Sequence, residues 1–87
     1  MTNVDTPHRS TRTRKPTVTA RVFQRAHGKA PRGTGNWAFA PTATEDAYHT
    51  DVNYVAMAFF YGTFSEARAR AQWHFAEQGV ALIAVLS

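Results

Sequence analysis

The sequence has no cysteine, few acidic residues and no long hydrophobic run. Without cysteine the chain cannot form a disulfide or a thiolate metal site, although its redox compartment stays open. The longest apolar run, residues 80–86, is far too short to span a bilayer, and the first residues lack the hydrophobic region of a secretory signal. We therefore expect a cytoplasmic protein with no membrane partner.

The chain of 87 residues has room for one small domain. A hydrophobic share of 44% suits a packed core, and an aromatic share of 13% is high for so short a chain. Because a domain of this size buries only about 60% of its unfolded surface, stability requires tight packing or the help of a partner.

Positive charge is concentrated at the front of the chain. Residues 1–35 hold eight of the ten lysines and arginines against a single acid, Asp5. The eight cations are Arg9, Arg12, Arg14, Lys15, Arg21, Arg25, Lys29 and Arg32. A basic segment joined to a near-neutral core predicts a polyanionic partner, so these eight residues are the candidate binding site for nucleic acid, a nucleoprotein complex or an acidic protein surface. The alternative is a tail that only improves solubility.

The expected fold is a small α+β domain with the element order β-β-β-α-β, preceded by a basic tail. Residues 1–16 carry little apolar surface, so we expect disorder there and a single domain over residues 17–87. The composition of residues 17–25, 36–40 and 52–61 is typical of strands. The first two strands would form a hairpin-like ribbon around a glycine-rich loop.

The best-defined element is a helix that begins after Thr63. Thr63 and Glu66 match a capping box, and Gly79 can end the helix. An apolar strand follows at once, so residues 52–86 should form a β-α-β unit with parallel strands and a right-handed crossover. One helix on a four-stranded mixed sheet covers one face only. The other apolar face would be left for a homodimer, a protein partner or a base-stacking ligand.

No pattern in the sequence indicates catalysis. The four histidines show no metal-ligand spacing, and Glu45 and Asp46 would face opposite ways in an extended chain. A nucleophile elbow, a phosphate-binding loop and a dinucleotide fingerprint are all absent from the sequence. We therefore expect a binding protein with no catalytic residues, metal or cofactor.

Three aromatic side chains are candidates for stacking on a ligand or for anchoring an interface. Trp37 and Phe39 follow the glycine-rich loop, whose Lys29 and Arg32 could hold phosphates while the rings stack on bases. The alternative places both rings in the core. Trp73 should project away from the helix face that packs on the sheet, which makes it either an interface anchor or a residue covered by the N-terminal segment.

The ordered region combines the sequence GNWAF at residues 35–39, YGTFSEA at residues 61–67 and an apolar terminal strand. This combination resembles small accessory proteins of phages and plasmids, among them anti-CRISPR and anti-restriction proteins. The resemblance implies an inhibitor that binds a host defence complex, and it assigns a role to no particular residue.

Two functions therefore stay open. The first is noncatalytic binding of nucleic acid or a nucleoprotein complex through the basic first third of the chain. The second is inhibition of a defence complex by protein–protein contact, through the uncovered sheet face and Trp73, with a homodimer as an alternative arrangement.

Overall fold

A computed structural model describes residues 15–87, which form one four-stranded mixed sheet with helices packed against it. In chain order the elements are β1 (Thr17–Thr19), α1 (Arg21–His27), β2 (Thr34–Pro41), the 3₁₀ turns His49–Asp51 and Tyr54–Ala56, β3 (Ala58–Thr63), α2 (Phe64–Ala76) and β4 (Leu82–Val85). The expected α+β class, with one main helix on a four-stranded mixed sheet, is confirmed.

The first predicted strand is wrong beyond Thr19, because the chain turns into α1 after that residue. Arg25 and His27 lie in the last turn of α1, where positive charge complements the helix dipole. Gly28 has a φ of 73° and donates its N–H to the carbonyl of Gln24 at 2.8 Å. This left-handed glycine ends the helix, and a side chain would be strained in its place. Residues 21–28 therefore contain the features that end a helix. The alternation of apolar and polar side chains over residues 17–25 favoured a strand instead.

The predicted pairing of the first two strands is also wrong. The sheet order is β1-β4-β2-β3, so within residues 15–87 β1 pairs with β4 and not with β2. β3 and β4 run in the same direction, as expected of strands joined by a helix, but β2 lies between them and is antiparallel to both. β4 is a central strand, as predicted. The third predicted strand is instead an edge strand that starts at Ala58, since Tyr54–Ala56 forms a 3₁₀ turn.

The capping box of α2 is present as predicted. The Thr63 hydroxyl accepts a hydrogen bond from the N–H of Glu66, and the Glu66 carboxylate accepts one from the N–H of Thr63, both at 3.1 Å. At the other end Gly79 adopts a φ of 76° and donates its N–H to the carbonyl of Ala76 at 3.0 Å. The reciprocal hydrogen bonds of Thr63 and Glu66 therefore set the start of this helix, and the left-handed conformation of Gly79 stops the chain from continuing it.

The two faces of the sheet have different covers. α2 packs on the first face, whose buried core consists of Phe23, Trp37, Phe39, Ala67, Ala71, Phe75, Ile83 and Val85. On the second face Val22 of α1, with Ala47 and Val52 of the loop after β2, packs over Ala40 and Ala84. The second face is therefore covered on its β4 side, where the sequence predicted an open apolar surface.

The packed part of the chain includes Pro16, which the sequence analysis assigned to the tail. Pro16 is fully buried, and its carbonyl accepts a hydrogen bond of 3.0 Å from Nε2 of Gln72. The predictions for Arg9, Arg12 and Arg14, and for disorder over residues 1–14, lie outside the described residues. No helix in residues 15–87 is long and apolar enough to cross a membrane.

Candidate nucleic-acid interface

Two exposed cations lie on the loop between α1 and β2. Lys29 and Arg32 are both exposed, and no ion pair within residues 15–87 involves either of them. The base of the loop is anchored, because the carbonyl of Gly33 accepts hydrogen bonds from the N–H of Phe64 at 2.9 Å and from Nε1 of Trp37 at 3.2 Å. The two cations therefore project from a fixed position beside the end of β3.

Arg21 and Arg25, by contrast, face an acid of the same chain. Nη2 of Arg25 bonds Oδ1 of Asp46 at 2.8 Å, and Nε of Arg21 lies 3.8 Å from the same oxygen. Arg25 also donates to the carbonyl of Ala47, and its guanidinium carbon lies 3.7 Å from the ring centroid of Tyr48. Arg25 therefore holds the 45–48 loop against α1, and these contacts within the chain leave it a structural role rather than a role in binding a ligand.

The stacking role suggested for Trp37 and Phe39 is corrected by their burial. Trp37 is 7% exposed and Phe39 is fully buried. The Trp37 ring packs against Phe23 and Phe64, with ring centroids 5.6 and 5.0 Å apart. Both side chains belong to the core under α2, so neither ring presents a face on which a base could stack.

Within residues 15–87, the second sheet face is exposed over Phe59 and Tyr61 of β3. Side chains alternate along this strand, and Phe59 and Tyr61 point to the second face with 54% and 67% of their surfaces exposed. Their partners on β2 are Ala38, opposite Phe59, and Asn36, opposite Tyr61. Phe60, which lies between them, packs on the α2 side. Ala38 is only 1% exposed, so the solvent-exposed part of this half of the sheet consists of Asn36, Phe59 and Tyr61, which we call the open face.

The cross-strand pairs of Ala38 with Phe59 and of Asn36 with Tyr61 are non-hydrogen-bonded pairs, in which the side chains of the two strands come close together. Ala38 uses both of its main-chain groups toward β4, since its carbonyl accepts from Leu86 and its N–H donates to Ser87, each at 2.8 Å. Ala38 therefore exchanges no main-chain hydrogen bond with Phe59, and antiparallel alternation gives the same result for Asn36 and Tyr61. Side chains in such pairs approach most closely, so the two rings lie against β2 on one side and face solvent on the other.

The outer edge of β3 is partly closed by α2. In non-hydrogen-bonded pairs the main-chain groups of Phe59 and Tyr61 point away from β2, toward the free edge. Nη1 of Arg70 donates to the carbonyl of Tyr61 at 2.8 Å, and the Glu66 carboxylate accepts from the N–H of Thr63 at 3.1 Å. These contacts occupy groups that an added strand would need. The edge of β3 is therefore partly closed at residues 61–63, while the Phe59 and Tyr61 side chains on its face are exposed.

A groove of about 290 Å³ extends from Arg32, on the loop that carries Lys29 and Arg32 (the basic loop), to Asn36 of the open face. Its lining consists of Phe23, His27, Arg32, Thr34, Gly35, Asn36, Trp37 and Ser87. No acidic side chain lines it. Arg32 and Asn36 share this groove, and Asn36 is the cross-strand partner of Tyr61. A cation, an amide and an aromatic ring therefore follow one another across the surface.

A second concavity, of about 510 Å³, lies along β1 and the start of α1. Its lining combines Arg21 with Glu45 and Asp46. The carboxylates would repel a phosphate, so the charge there does not favour a polyanion. Within the part of the chain that the structure describes, no group of three or more His, Asp or Glu side chains could hold a metal ion.

Comparisons of this chain with protein-family models, curated proteins and solved structures find no match.

Trp73 lies on the outward face of α2 and is 60% exposed. Ala67, Ala71 and Phe75 of the same helix are fully buried. The prediction that Trp73 projects away from the sheet is therefore confirmed, and the residue is free to contact a partner.

Sequence reasoning missed Phe59 and Tyr61 as site residues. The alternation over residues 57–61 did show that these two rings share a face. It could not show that β3 lies at the sheet edge beyond the reach of α1 and the 42–52 loop. That information is nonlocal, because it depends on which strands become neighbours.

Proposed function

We propose that this protein is a noncatalytic nucleic-acid-binding protein that engages nucleic acid or a nucleoprotein complex through its basic N-terminal third. The observation that supports this most directly is the position of Lys29 and Arg32. Both are exposed on an anchored loop, and Arg32 lines a groove without acidic side chains that leads to the open face. Such an arrangement attracts a phosphate backbone and leaves the neighbouring face free for bases.

The eight candidate cations contribute unequally to this proposal. Lys29 and Arg32 form its centre. Lys15 and Arg21 are exposed and can add charge, although Arg21 lies near Asp46. Arg25 has a structural role instead. Arg9, Arg12 and Arg14 enter through the sequence alone, as charges that strengthen the attraction of a polyanion.

The test is a fluorescence-anisotropy titration of the full chain against labelled single-stranded and duplex DNA and RNA at low salt. We expect Lys29→Glu and Arg32→Glu each to weaken binding by about 10-fold, since each replaces a phosphate contact by a repulsion. The matched control is Arg68→Glu, an exposed position on α2 that changes the net charge equally. The proposal is wrong if the wild-type chain binds none of the four nucleic acids.

A second candidate function is inhibition of a host defence complex by protein–protein contact, as the resemblance to phage and plasmid accessory proteins implies. The specific observation in its favour is Trp73, because exposed tryptophans are enriched among interface anchors. This candidate predicts that Trp73→Ala abolishes partner capture from nuclease-treated host lysate, or dissociates a homodimer, while nucleic-acid binding is retained. The control is Val55→Ala, at a site that is 98% exposed. Unchanged capture and unchanged oligomeric state in Trp73→Ala would refute it.

A further inference from the structure

We infer that the open face is a stacking platform for unpaired bases, on which Phe59 and Tyr61 contact two bases while Lys29 and Arg32 hold the phosphate backbone. This inference rests on the proposed function and deepens it, because it names single-stranded nucleic acid as the ligand. It also replaces Trp37 and Phe39, which the sequence offered as candidates for stacking with burial in the core as the alternative, by two aromatics of a different strand.

The first observation that supports this inference is the exposure of the Phe59 and Tyr61 rings. Phe59 and Tyr61 keep 54% and 67% of their surfaces in solvent, although α1 and the 42–52 loop cover the rest of the same sheet face. The cross-strand partner of Phe59 is Ala38 and that of Tyr61 is Asn36, which places a β2 side chain beside each ring. Every nucleic-acid base has a π-face that can stack on such a ring, whatever its sequence.

The second observation is the spacing of the two rings along β3. Residues two apart on a strand are separated by about 6.8 Å, whereas nucleotides in a duplex strand rise by about 3.4 Å. Adjacent nucleotides that use both rings must therefore be unstacked and extended. In a duplex the base faces are buried in the stack and only base edges are exposed in the grooves. A flat aromatic face of this kind consequently selects unpaired bases.

The third observation is the distribution of charge near the rings. It suggests the path that a nucleic-acid strand would follow over the surface. Tyr61, rather than Phe59, lies opposite Asn36, and Asn36 shares the groove with Arg32. A strand whose bases stack on Phe59 and then Tyr61 would reach Asn36, whose amide can both donate to and accept from a base edge. Its phosphates would next meet Arg32 and then Lys29. Rings, amide and cations thus line one continuous track.

A second copy of this chain fits the open face less well. The edge of β3 is occupied at Tyr61 and Thr63 by Arg70 and Glu66, which disfavours pairing between copies. A stable interface buries about 800 Å² per partner, while two aromatic side chains bury about 150–250 Å² each and these are already partly covered. The two rings alone supply only a fraction of the area that a dimer requires, and an interface between copies would also have to use the exposed Tyr54, Val55 and Met57.

The experiment compares a labelled 12-nucleotide oligo-dT with a blunt-ended DNA duplex of about 12 base pairs, both titrated with the full chain at low salt. We expect the single strand to bind at least about 10-fold more tightly than the duplex. The variant Phe59→Thr/Tyr61→Thr should lose at least about 10-fold for the single strand and change little for the duplex. Threonine suits an exposed strand, so the fold should be retained. Trp73→Ala, a distant exposed aromatic, is the control and should bind as wild type, whereas Tyr61→Phe, which keeps the ring, should retain more of the affinity than Tyr61→Thr.

The second measurement uses wild-type protein only, so it does not depend on how a variant folds. Oligo-dT carrying 4-thiothymidine is photo-crosslinked to the full chain, and the crosslinked peptide is located by mass spectrometry. Crosslinks within residues 58–63 support the inference. Crosslinks confined to α2 overturn it.

The outcomes separate the inference from the function on which it rests. If the chain binds no nucleic acid, both are wrong. If it binds duplex as tightly as single strand, or if Phe59→Thr/Tyr61→Thr binds the single strand as wild type does, the stacking platform is wrong and the proposed function stands.

Discussion

Nη1 of Arg70 donates a hydrogen bond of 2.8 Å to the main-chain carbonyl of Tyr61. Through this contact α2 occupies an acceptor on the free edge of β3, while the Tyr61 ring stays exposed on the open face. The result is an open face beside a partly closed edge. Such a surface admits a flat ligand and disfavours the addition of a strand.

Removal of this contact should therefore promote self-association. We expect Arg70→Ala to increase the apparent mass with protein concentration, because the edge of β3 then presents a free carbonyl beside two exposed rings. Size-exclusion chromatography with light scattering measures the effect. Arg68→Ala is the control, since Arg68 is an exposed arginine of the same helix whose guanidinium carbon lies 5.8 Å from the Phe64 ring centroid, and the hydrogen bond to the Tyr61 carbonyl comes from Arg70. Identical masses for the two variants would contradict the role given to Arg70.

Arg25 should contribute to stability rather than to binding. Arg25→Ala removes the hydrogen bonds to Asp46 and Ala47 and the contact with Tyr48, so we expect the free energy of unfolding to fall by about 1–2 kcal/mol. Arg25→Lys should restore little of this, because an ammonium cannot reproduce the fork geometry of the guanidinium. Urea denaturation measures the difference.

Lys29→Ala is the control for Arg25, and we expect it to change the free energy of unfolding by less than about 0.5 kcal/mol. The structural role of Arg25 is contradicted if Arg25→Ala is as stable as Lys29→Ala.

Gly62 and Gly35 are cross-strand partners with different requirements. Gly62 has a φ of 140°, and a Cβ there would lie 2.8 Å from Oε1 of Glu66, the oxygen that caps α2. Gly62→Ala should therefore strain the backbone and disturb the cap, lowering the free energy of unfolding by about 1–3 kcal/mol. A Cβ on Gly35 would meet no atom within 4 Å, so Gly35→Ala is the matched control. Equal thermal stability of the two variants would show that the cap tolerates a side chain at position 62.

The salt dependence of binding should distinguish the cations from the rings. A phosphate contact to a single strand contributes about 0.7 to the slope of log affinity against log salt. We expect Lys29→Gln and Arg32→Gln each to reduce the slope by about that amount. Phe59→Thr/Tyr61→Thr should lower the affinity at every salt concentration without changing the slope, because stacking releases no counterions. Anisotropy titrations at several salt concentrations provide both quantities. A changed slope in the ring variant would contradict this division of roles.

The sequence predicted those parts of the fold whose chemistry is local. The capping box of Thr63 and Glu66 identified the start of α2, and Gly79 identified the region of its end. The apolar run after Gly79 identified β4 as a central strand. In contrast, the strand order depends on pairings between distant segments, and no local pattern places β2 between β3 and β4. The prediction of the first strand was wrong beyond Thr19 for a related reason. A short segment that contains Val22 and Phe23 fits either a strand or a helix.

The candidate site shows the same limit. Trp37 and Phe39 have the same two-residue spacing as Phe59 and Tyr61, and alternation correctly pairs the rings within each strand. It cannot tell which pair meets α2 and which meets solvent. That outcome depends on the sheet order, which puts β3 at the edge. The positions of Lys29 and Arg32 were easier to predict, because glycines near both cations indicate an exposed loop.

The most direct test of the account is an NMR titration of the full chain with oligo-dT, following the backbone amide resonances. We predict that the largest chemical-shift changes fall on residues 29–36 of the basic loop and early β2 and on residues 58–63 of β3, while Trp73 and its neighbours on α2 change little. Shifts confined to α2 around Trp73, or no shifts at any oligonucleotide concentration, would contradict the claim that the open face and the basic loop together bind nucleic acid.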